Sequence, residues 1–291
     1  MRFETWCATG RRVRLGENDI FVRSEGTGDA LLFLHGFPTS SLDFAGTAAR
    51  LKDSFRCLTF DFLGFGNSDK PSGPYTYQRQ ADLACSVAMH HNVSRAFVVA
   101  HDYGVSVGQE LLARHAEGTL PFSLAGVTFM NGGLTPSLHR PLVVQRLLAS
   151  PVGTVLAPLF VNRLTLRRSL ARIMHKPETL DINEHWKAIA LRNGTSRMPA
   201  LLSYIRERRT FSSRWRDAIR DAVVPLSFAW GLRDPISGAH MLDWVRDLRA
   251  DARVLALDQA GHYPQLEQES QVSEFIKKVV LSAFATSDTK S

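Results

Sequence analysis

The chain has 291 residues, of which 44% are hydrophobic and 22% are charged. These values are typical of a soluble globular protein and exclude an intrinsically disordered chain. The sequence has no apolar run of the ~18 residues that a membrane span needs and no apolar secretory signal near its start. Its cysteines, Cys7, Cys57 and Cys85, are too few and too far apart for a disulfide framework or a clustered zinc site. We therefore expect a cytoplasmic protein without a metal or other cofactor.

The positive charge is concentrated in one part of the chain. The net charge is +7, yet residues 134–222 hold 16 Lys and Arg against 6 Asp and Glu, while the remainder holds 19 against 22. A basic excess confined to one block argues against a nucleic acid as partner. We expect a solvated basic face, with peripheral contact to an anionic membrane or an acidic partner as the alternative. The arginines of this face are Arg167, Arg168, Arg206, Arg208 and Arg209.

Short apolar runs bounded by turn residues recur along the chain, and runs of this length are typical of strands buried on both faces of a parallel sheet. The predicted strands are Ala30–Leu34, Arg56–Phe60, Ala96–Ala100, Ala125–Met130, Leu226–Trp230 and Val254–Leu257. Helical spacing of apolar residues lies between them, as in Gln80–His90 and Val105–His115. Alternating strands and helices predict a mostly parallel, doubly wound α/β sheet. An antiparallel edge hairpin over Arg12–Ser24 precedes it.

The alternation stops between residues 134 and 222, where the apolar pattern is helical and prolines interrupt it repeatedly. We interpret this block as a helical cap inserted into the sheet domain. The predicted organisation is therefore a core of residues 1–133 and 223–291 with a cap of residues 134–222. The sequence does not indicate an oligomeric state.

The residues Ala100-His101-Asp102-Tyr103-Gly104 follow a predicted strand and precede a helix. A strand, a sharp turn with small flanking residues and a helix form the frame of a nucleophile elbow, which exposes its middle residue at a helix N-terminus. That residue is Asp102. The overlapping segment Gly104–Gly108 matches the pattern Gly-x-Ser-x-Gly, but Ser106 falls one turn into the helix, so we favour Asp102 as the nucleophile.

Three further motifs follow predicted strands. Asp234 lies in Gly231-Leu232-Arg233-Asp234-Pro235, and His262 lies in Ala260-Gly261-His262-Tyr263-Pro264. The chain order nucleophile, acid, base resembles that of the α/β-hydrolases. The loop His35-Gly36-Phe37-Pro38 follows the strand Ala30–Leu34, and its Phe37–Pro38 bond is a candidate cis peptide. We expect the N–H groups of Phe37 and Tyr103 to form an oxyanion hole.

These motifs, together with Asp61-Phe62-Leu63-Gly64-Phe65-Gly66-Asn67-Ser68-Asp69, resemble the epoxide hydrolase and haloalkane dehalogenase branch of the α/β-hydrolase fold. The resemblance covers nearly the whole chain. Within it, Asn131-Gly132-Gly133-Leu134-Thr135-Pro136 and Ser203-Tyr204-Ile205 resemble the mesoderm-specific transcript group of hydrolases. The fold that the resemblance implies is an α/β-hydrolase core with an inserted helical cap.

A carboxylate nucleophile favours attack on an sp³ carbon, because the product is an ordinary ester that water activated by His262 can hydrolyse. Asp234 would then orient His262. The favoured substrate is a small apolar epoxide, and Tyr204, the cap's single tyrosine, matches the ring-opening acid of epoxide hydrolases. His139 is a candidate for the second cap tyrosine that those enzymes usually have. The remaining predicted substrate-binding residues are His35, Pro38, His101, Asn131 and Trp186.

Three alternatives stay open. A haloalkane dehalogenase would use the same ester, although those enzymes have Trp where Tyr103 follows the nucleophile, and the cap residues Trp186 and Trp215 would then be halide donors rather than core. A serine esterase would use Ser106. A catalytically idle scaffold or ligand sensor would keep the pocket without the chemistry.

Overall fold

The computed structural model describes residues 1–148, 153, 157 and 160–288. Its described strands form a single sheet of eight strands in the spatial order β1-β2-β4-β3-β5-β6-β7-β8. The first two strands run antiparallel to their neighbours, and the others pair in parallel. The strands are β1 (Arg11–Leu15), β2 (Asn18–Glu25), β3 (Ala30–Leu34), β4 (Arg56–Phe60), β5 (Arg95–His101), β6 (Ser123–Met130), β7 (Leu226–Gly231) and β8 (Arg253–Leu257).

The strands follow the sequence predictions closely. β3 and β4 have the predicted bounds, and the remaining parallel strands extend the predicted runs by one or two residues. Apart from Leu124, the extensions are polar or glycine residues such as Arg95, Ser123 and Gly231, because backbone pairing continues past the point where the apolar pattern ends. The predicted hairpin is β1 and β2, and β1 forms the sheet edge. The α/β-hydrolase fold implied by the sequence motifs is therefore confirmed.

Helices cover both faces of the sheet. One face packs against α3, α4 and α11, and the other packs against α2 and α13. The helices are α1 (Phe3–Ala8), α2 (Ala45–Leu51), α3 (Tyr77–His90), α4 (Tyr103–Ala116), α5 (Val143–Leu148), α6 (Arg163–Ile173), α7 (Ile182–Ala190), α8 (Met198–Leu201), α9 (Tyr204–Thr210), α10 (Ser212–Arg220), α11 (Ala239–Leu248), α12 (Pro264–Glu267) and α13 (Glu269–Asp288). Short 3-10 turns span Ser41–Phe44, Pro177–Thr179 and Leu191–Arg197.

The segment between β6 and β7 carries α5 to α10, and its described residues contain no strand. It packs on the sheet domain through buried polar contacts as well as apolar ones. The Trp215 indole N–H on α10 donates to the Glu110 carboxylate on α4 over 2.9 Å, and the Tyr77 N–H that begins α3 donates to Glu207 on α9. The predicted cap boundaries at residues 134 and 222 stay predictions, and residues 149–152, 154–156 and 158–159 of that block lie outside the described residues.

One end of the sheet gathers the candidate residues. The loops that follow β3, β5, β7 and β8 hold Phe37, Asp102, Asp234 and His262, respectively. Because these four strands run in parallel, their carboxyl ends meet at one edge of the sheet, which is where such sheets bind ligands. In the described part of the chain, no helix is both long enough and apolar enough to cross a membrane.

Candidate active site

Asp102 lies at a sharp turn between β5 and α4. Its backbone has φ 46° and ψ −103°, a conformation that non-glycine residues rarely adopt and that is typical of functional turns. The turn is tight, since a Cβ on Gly104 would lie 2.2 Å from the Leu34 carbonyl oxygen. Only glycine at position 104 permits this approach, so the local sequence itself forces the chain to present Asp102 at the N-terminus of α4.

The Asp102 carboxylate is buried and has two polar neighbours. Its Oδ2 accepts the Phe37 N–H over 2.9 Å, and its Oδ1 lies 3.6 Å from His262 Nε2. Burial raises the pKa of Asp102, but the hydrogen bond and charge of His262 and the charge of Arg208 outweigh burial. The pKa of this carboxyl therefore lies well below its usual range, and Asp102 is ionised at neutral pH.

His262 connects the two aspartates. Its Nδ1 lies 2.8 Å from Asp234 Oδ2, and Nε2 faces Asp102. Burial lowers the pKa of His262, but the charges of Asp234 and Asp102 raise it to about 10. The imidazole is thus positively charged while Asp102 carries its negative charge. A covalent change that neutralised Asp102 would remove part of the cause of this shift, so the basicity of His262 depends on the state of Asp102.

Asp234 is held by several donors. Its carboxylate accepts the Ser237 hydroxyl over 2.6 Å, the Ile236 N–H over 2.8 Å and the Asn131 amide over 3.1 Å. Burial raises the pKa of Asp234, but the charge and hydrogen bond of His262, together with the Ser237 and Ile236 donors, lower it below its ordinary value. The side chain is therefore a fixed, ionised partner that determines the orientation of the His262 ring.

The two residues expected to form the oxyanion hole flank Asp102. The Phe37 N–H points at the Asp102 carboxylate, and Tyr103 is the first residue of α4, where main-chain N–H groups have no partner within the helix. The Phe37–Pro38 peptide bond is cis, as the sequence suggested. The loop after β3 therefore brings a main-chain donor to the carboxylate itself.

Three of the residues predicted to bind substrate instead contact neighbouring groups of the protein. His35 accepts the Phe62 N–H at Nε2 and bonds the Gly36 carbonyl through Nδ1. His101 Nε2 lies 2.7 Å from the His262 carbonyl oxygen, and Asn131 bonds Gly231 as well as Asp234. Each is fully buried. His101 and Asn131 fix the loops that carry His262 and Asp234, and His35 fixes the loops after β3 and β4.

Pro38 and Trp186 do line a cavity, and His262 forms part of its wall. The cavity has a volume of about 80 Å³. Its described walls are mostly apolar side chains from α5, α6 and the loops beside the triad, including Phe37, Leu142, Leu166, Leu170, Ile173 and Leu202. A cavity of this character accommodates a small apolar molecule in reach of His262.

Tyr204 is buried at the beginning of α9. Its ring centroid lies 5.9 Å from that of Phe37 and 5.4 Å from that of Tyr103, so the phenol sits over the two residues that flank Asp102. Burial, followed by the charge of Asp102, raises the pKa of Tyr204 well above its ordinary value, while Arg208 opposes the shift. Tyr204 is therefore protonated at neutral pH.

Arg208 contacts the candidate site but is not among the predicted site residues. The prediction that it belongs to a solvated face is wrong: its side chain is 1% exposed, whereas Arg167, Arg168, Arg206 and Arg209 are exposed as predicted. Its Nε donates to Ser106 Oγ over 2.9 Å. The one available signal was its spacing, four residues after Tyr204, which places both side chains on one face of α9.

Two other sequence candidates lie close to Arg208. Ser106 is buried within α4, and its hydroxyl accepts from the guanidinium. His139 Nε2 lies 3.4 Å from Arg208 Nη1, and burial together with the charge of Arg208 lowers the pKa of His139 to about 3. His139 is therefore neutral and is a poor replacement for an acidic tyrosine. Trp215, the second cap tryptophan, is buried against Glu110.

No three His, Cys, Asp or Glu side chains in the described ranges come together as a metal site requires. The groups that the described site offers for chemistry are a carboxylate with a main-chain donor, an imidazole between two carboxylates and a protonated phenol. Such a set can form and then hydrolyse a covalent ester.

The sequence profile of the Alpha/beta hydrolase family matches residues 31–275, and the chain belongs to this family. LipZ of Mycobacterium tuberculosis is 38% identical over 276 residues, covering 92% of this chain and 94% of LipZ. The mesoderm-specific transcript homolog protein of Homo sapiens is 34% identical and covers 83% of this chain and 76% of its own length. Haloalkane dehalogenase 2 of Mycobacterium bovis is 27% identical, covering 72% and 73%.

Solved structures agree with the fold. The haloalkane dehalogenase DbeA-M1 loop variant of Bradyrhizobium elkanii superposes with a TM-score of 0.80 at 21% identity, covering 97% of this chain and 99% of its own. The epoxide hydrolase CorEH gives 0.78 at 18% identity, covering 93% and 97%. An esterase from Exiguobacterium antarcticum gives 0.75 at 17% identity, covering 93% and 99%. Because proteins of all three activities share this architecture, the fold alone does not select among them.

Proposed function

We propose that this hydrolase opens a small apolar epoxide through a covalent ester of Asp102. The observation that carries the proposal is the placement of a carboxylate, rather than a hydroxyl, at the turn between β5 and α4. Its two oxygens face the Phe37 N–H at 2.9 Å and His262 Nε2 at 3.6 Å. A carboxylate that attacked an ester would form an anhydride, whereas attack on an sp³ carbon forms a stable ester.

In the first step, an Asp102 oxygen bonds to a ring carbon and the carbon–oxygen bond of the epoxide breaks. The ring oxygen takes the phenolic proton of Tyr204, which becomes a phenolate. A protonated phenol whose ring contacts Phe37 and Tyr103 supports this role. The apolar cavity favours an uncharged alkyl or aryl group on the ring.

In the second step, water attacks the carbonyl carbon of the Asp102 ester and gives a proton to His262. The ester has lost the negative charge of Asp102, so the pKa of His262 falls from about 10, its proton passes to solvent and the neutral ring can accept the proton of the attacking water. The N–H groups of Phe37 and Tyr103 stabilise the tetrahedral oxyanion. Collapse releases the diol, whose departing oxygen takes the proton from His262. The proton left on the Asp102 carboxyl returns to the Tyr204 phenolate, and His262 takes up a proton from solvent again as Asp102 regains its negative charge.

Haloalkane dehalogenation is the second candidate. It would use the same ester, with a halide as leaving group. The observation that favours it is Trp186 on the cavity wall, because an indole N–H is a suitable halide donor. The related Haloalkane dehalogenase 2 adds support. Epoxide opening remains our choice because a buried phenol lies against the residues that flank Asp102.

A serine esterase is less well supported. Ser106 lies buried within α4, one turn beyond the elbow, and its hydroxyl accepts from the Arg208 guanidinium. His262 Nε2 faces Asp102. A catalytically idle scaffold is also testable, because an Asp102→Ala variant with full biological effect would support it.

The test is the intact mass of His262→Gln after incubation with a mixture of epoxides and haloalkanes. Without its base the enzyme forms the Asp102 ester but cannot hydrolyse it. We expect a mass gain equal to one whole epoxide. A gain equal to an alkyl group less one hydrogen would indicate dehalogenation instead.

The matched control is the double variant Asp102→Ala, His262→Gln, which should gain no mass under the same conditions. An adduct that persisted in the double variant would show that another side chain reacts and would contradict the proposal. No adduct with any epoxide in His262→Gln would equally count against epoxide hydrolysis and would favour the scaffold.

A further inference from the structure

Arg208 is a buried cation whose contacts include no full negative charge among the described residues. Its Nε donates to Ser106 Oγ over 2.9 Å, and its Nη2 donates to the Asp102 main-chain oxygen over 3.4 Å. Its Nη1 lies 3.4 Å from the neutral His139 ring. Burial of a cation without an ion pair is costly, so the surrounding structure must compensate for it.

The compensation comes from aromatic faces and from the backbone of the elbow. The guanidinium carbon lies 4.8 Å from the centroid of the Tyr204 ring and 5.9 Å from that of Tyr77. A desolvated guanidinium over a phenol ring is a stabilising arrangement that also restricts the ring's orientation. Arg208 therefore joins Tyr204, on the same helix, to the turn that presents Asp102.

Two glycines make room for this arrangement. A Cβ on Gly133 would lie 2.4 Å from Arg208 Nη1, and a Cβ on Gly132 would lie 2.9 Å from the Asp102 main-chain oxygen. Neither position has a positive φ, so the backbone itself does not require glycine there. Glycine is needed there because the Arg208 guanidinium and the turn at Asp102 come so close to this part of the chain.

The carboxylate charge that acts on Arg208 is that of Asp102. The positive charge of Arg208 contributes to the low pKa of Asp102 and opposes the rise in the pKa of Tyr204. Both effects favour the same chemical change, in which an ionised carboxylate attacks while a phenol gives up its proton.

We propose that Arg208 is a positioning residue for ring opening: it fixes the Tyr204 phenol over Asp102 and stabilises the phenolate that proton transfer leaves behind. The inference rests on the proposed function and adds to it. As the bond from Asp102 to the ring carbon forms and the ring carbon–oxygen bond breaks, the phenolic proton moves to the ring oxygen. The negative charge then rests on Tyr204, against the guanidinium.

The test follows ester formation, rather than turnover, in the His262→Gln background. Intact mass is recorded over time with an epoxide that forms the adduct. We expect Arg208→Met to slow ester formation by about 10- to 100-fold, at most the lower end of the roughly 10²- to 10⁴-fold that a positioned acid contributes, because Tyr204 itself remains. Arg208→Lys, which keeps a positive charge but not the planar fork, should recover part of the rate.

Tyr204→Phe distinguishes positioning from a general structural effect. If Arg208 acts through Tyr204, adding Arg208→Met to the Tyr204→Phe protein should slow ester formation by less than about threefold. The hydroxyl group that Arg208 positions is already absent from that protein. A local collapse of the site would slow both backgrounds by the same factor, and that result would overturn the inference.

Gly133→Ala is the second variant, because it keeps Arg208 and displaces its guanidinium. The added methyl group should slow ester formation by about tenfold with Tyr204 present and have little effect with Tyr204→Phe. Ester formation as fast in Arg208→Met and Gly133→Ala as in the parent would contradict this inference and leave the Asp102 ester intact. No epoxide ester in the parent itself would contradict the proposed function, and the inference with it.

Discussion

Two regions of the molecule build the site, and they place their side chains differently. The loops after parallel strands carry Asp102, Asp234 and His262, each at the carboxyl end of its own strand. The segment between β6 and β7 contributes Tyr204 and Arg208 from a single short helix. In the first region, chain direction and a tight turn determine where a side chain points. In the second region, the packing of a helix against distant glycines and against α4 determines it.

The largest effect expected from this comparison belongs to the strand-end loops. Asp102→Ala should lower turnover of the substrate by at least about 10⁴-fold, because it removes the carboxylate that we propose forms the ester. Ser106→Ala should lower turnover by less than about tenfold, an effect that comes from loss of its contact with Arg208. Steady-state rates of both variants check the assignment. Complete loss in Ser106→Ala, with turnover retained in Asp102→Ala, would reverse it in favour of a serine nucleophile.

A second prediction for the strand-end loops concerns Asp234→Asn and the hydrolysis of the proposed Asp102 ester. The amide cannot stabilise a charged His262 and can reverse the hydrogen bond to Nδ1, so hydrolysis of the Asp102 ester should slow by about 10³-fold. We expect an adduct that the parent does not accumulate, detected by intact mass during turnover. Ester hydrolysis at the parent rate would show that Asp234 does not act through His262. Asp243→Asn, an exposed carboxylate on α11, is the matched control.

The sequence predicts the strand-end loops better than it predicts the segment between β6 and β7. The buried strands were predicted to within one or two residues, because continuous apolar runs are local signals. Asp102, Asp234 and His262 were singled out because each follows such a run. Arg208 was assigned to the surface because a charged residue on an amphipathic helix is usually solvated. Its burial depends on Gly133, which is distant in sequence, so the spacing from Tyr204 places it on one helix face but does not show that this face is buried.

The residues that line the cavity could not be predicted from the sequence either. The periodicity of α6 predicts a helix, but which of its apolar residues face Pro38 and His262 depends on how the helix lies over the sheet edge. Trp186 illustrates the difficulty, since the sequence allowed both a core position and a pocket position. The structure puts it on the cavity wall.

The junction between the two regions should matter for stability more than for chemistry. Trp215→Phe removes the indole N–H that donates to Glu110 and leaves a buried carboxylate with one donor fewer. We expect the free energy of unfolding to fall by about 2 kcal/mol, the typical contribution of a hydrogen bond to a charged group. Denaturant unfolding measures it, with Arg216→Ala on the exposed side of α10 as control. Equal stability of the two variants would mean that this contact contributes little.

A smaller effect concerns pH. The pKa of His262 is raised to about 10 from 6.5, so the folded chain holds this proton more tightly than the unfolded chain. Its contribution to stability is full below pH 6.5 and is lost as the pH rises through about 10. We expect the stability difference between the parent and His262→Gln to decrease across this window in thermal unfolding. A difference that stayed constant or increased would contradict the raised pKa.

The central claim is that Asp102 forms the ester and that water attacks its carbonyl carbon. A single turnover in heavy-oxygen water, with enzyme in excess over epoxide, tests it directly. Because the carboxylate oxygen bonds to the substrate carbon, the diol should contain only ordinary oxygen, and the peptide that contains Asp102 should gain one heavy oxygen. A diol that carries the heavy oxygen, with an unlabelled Asp102 peptide, would mean that water attacks the substrate directly and would contradict the ester mechanism.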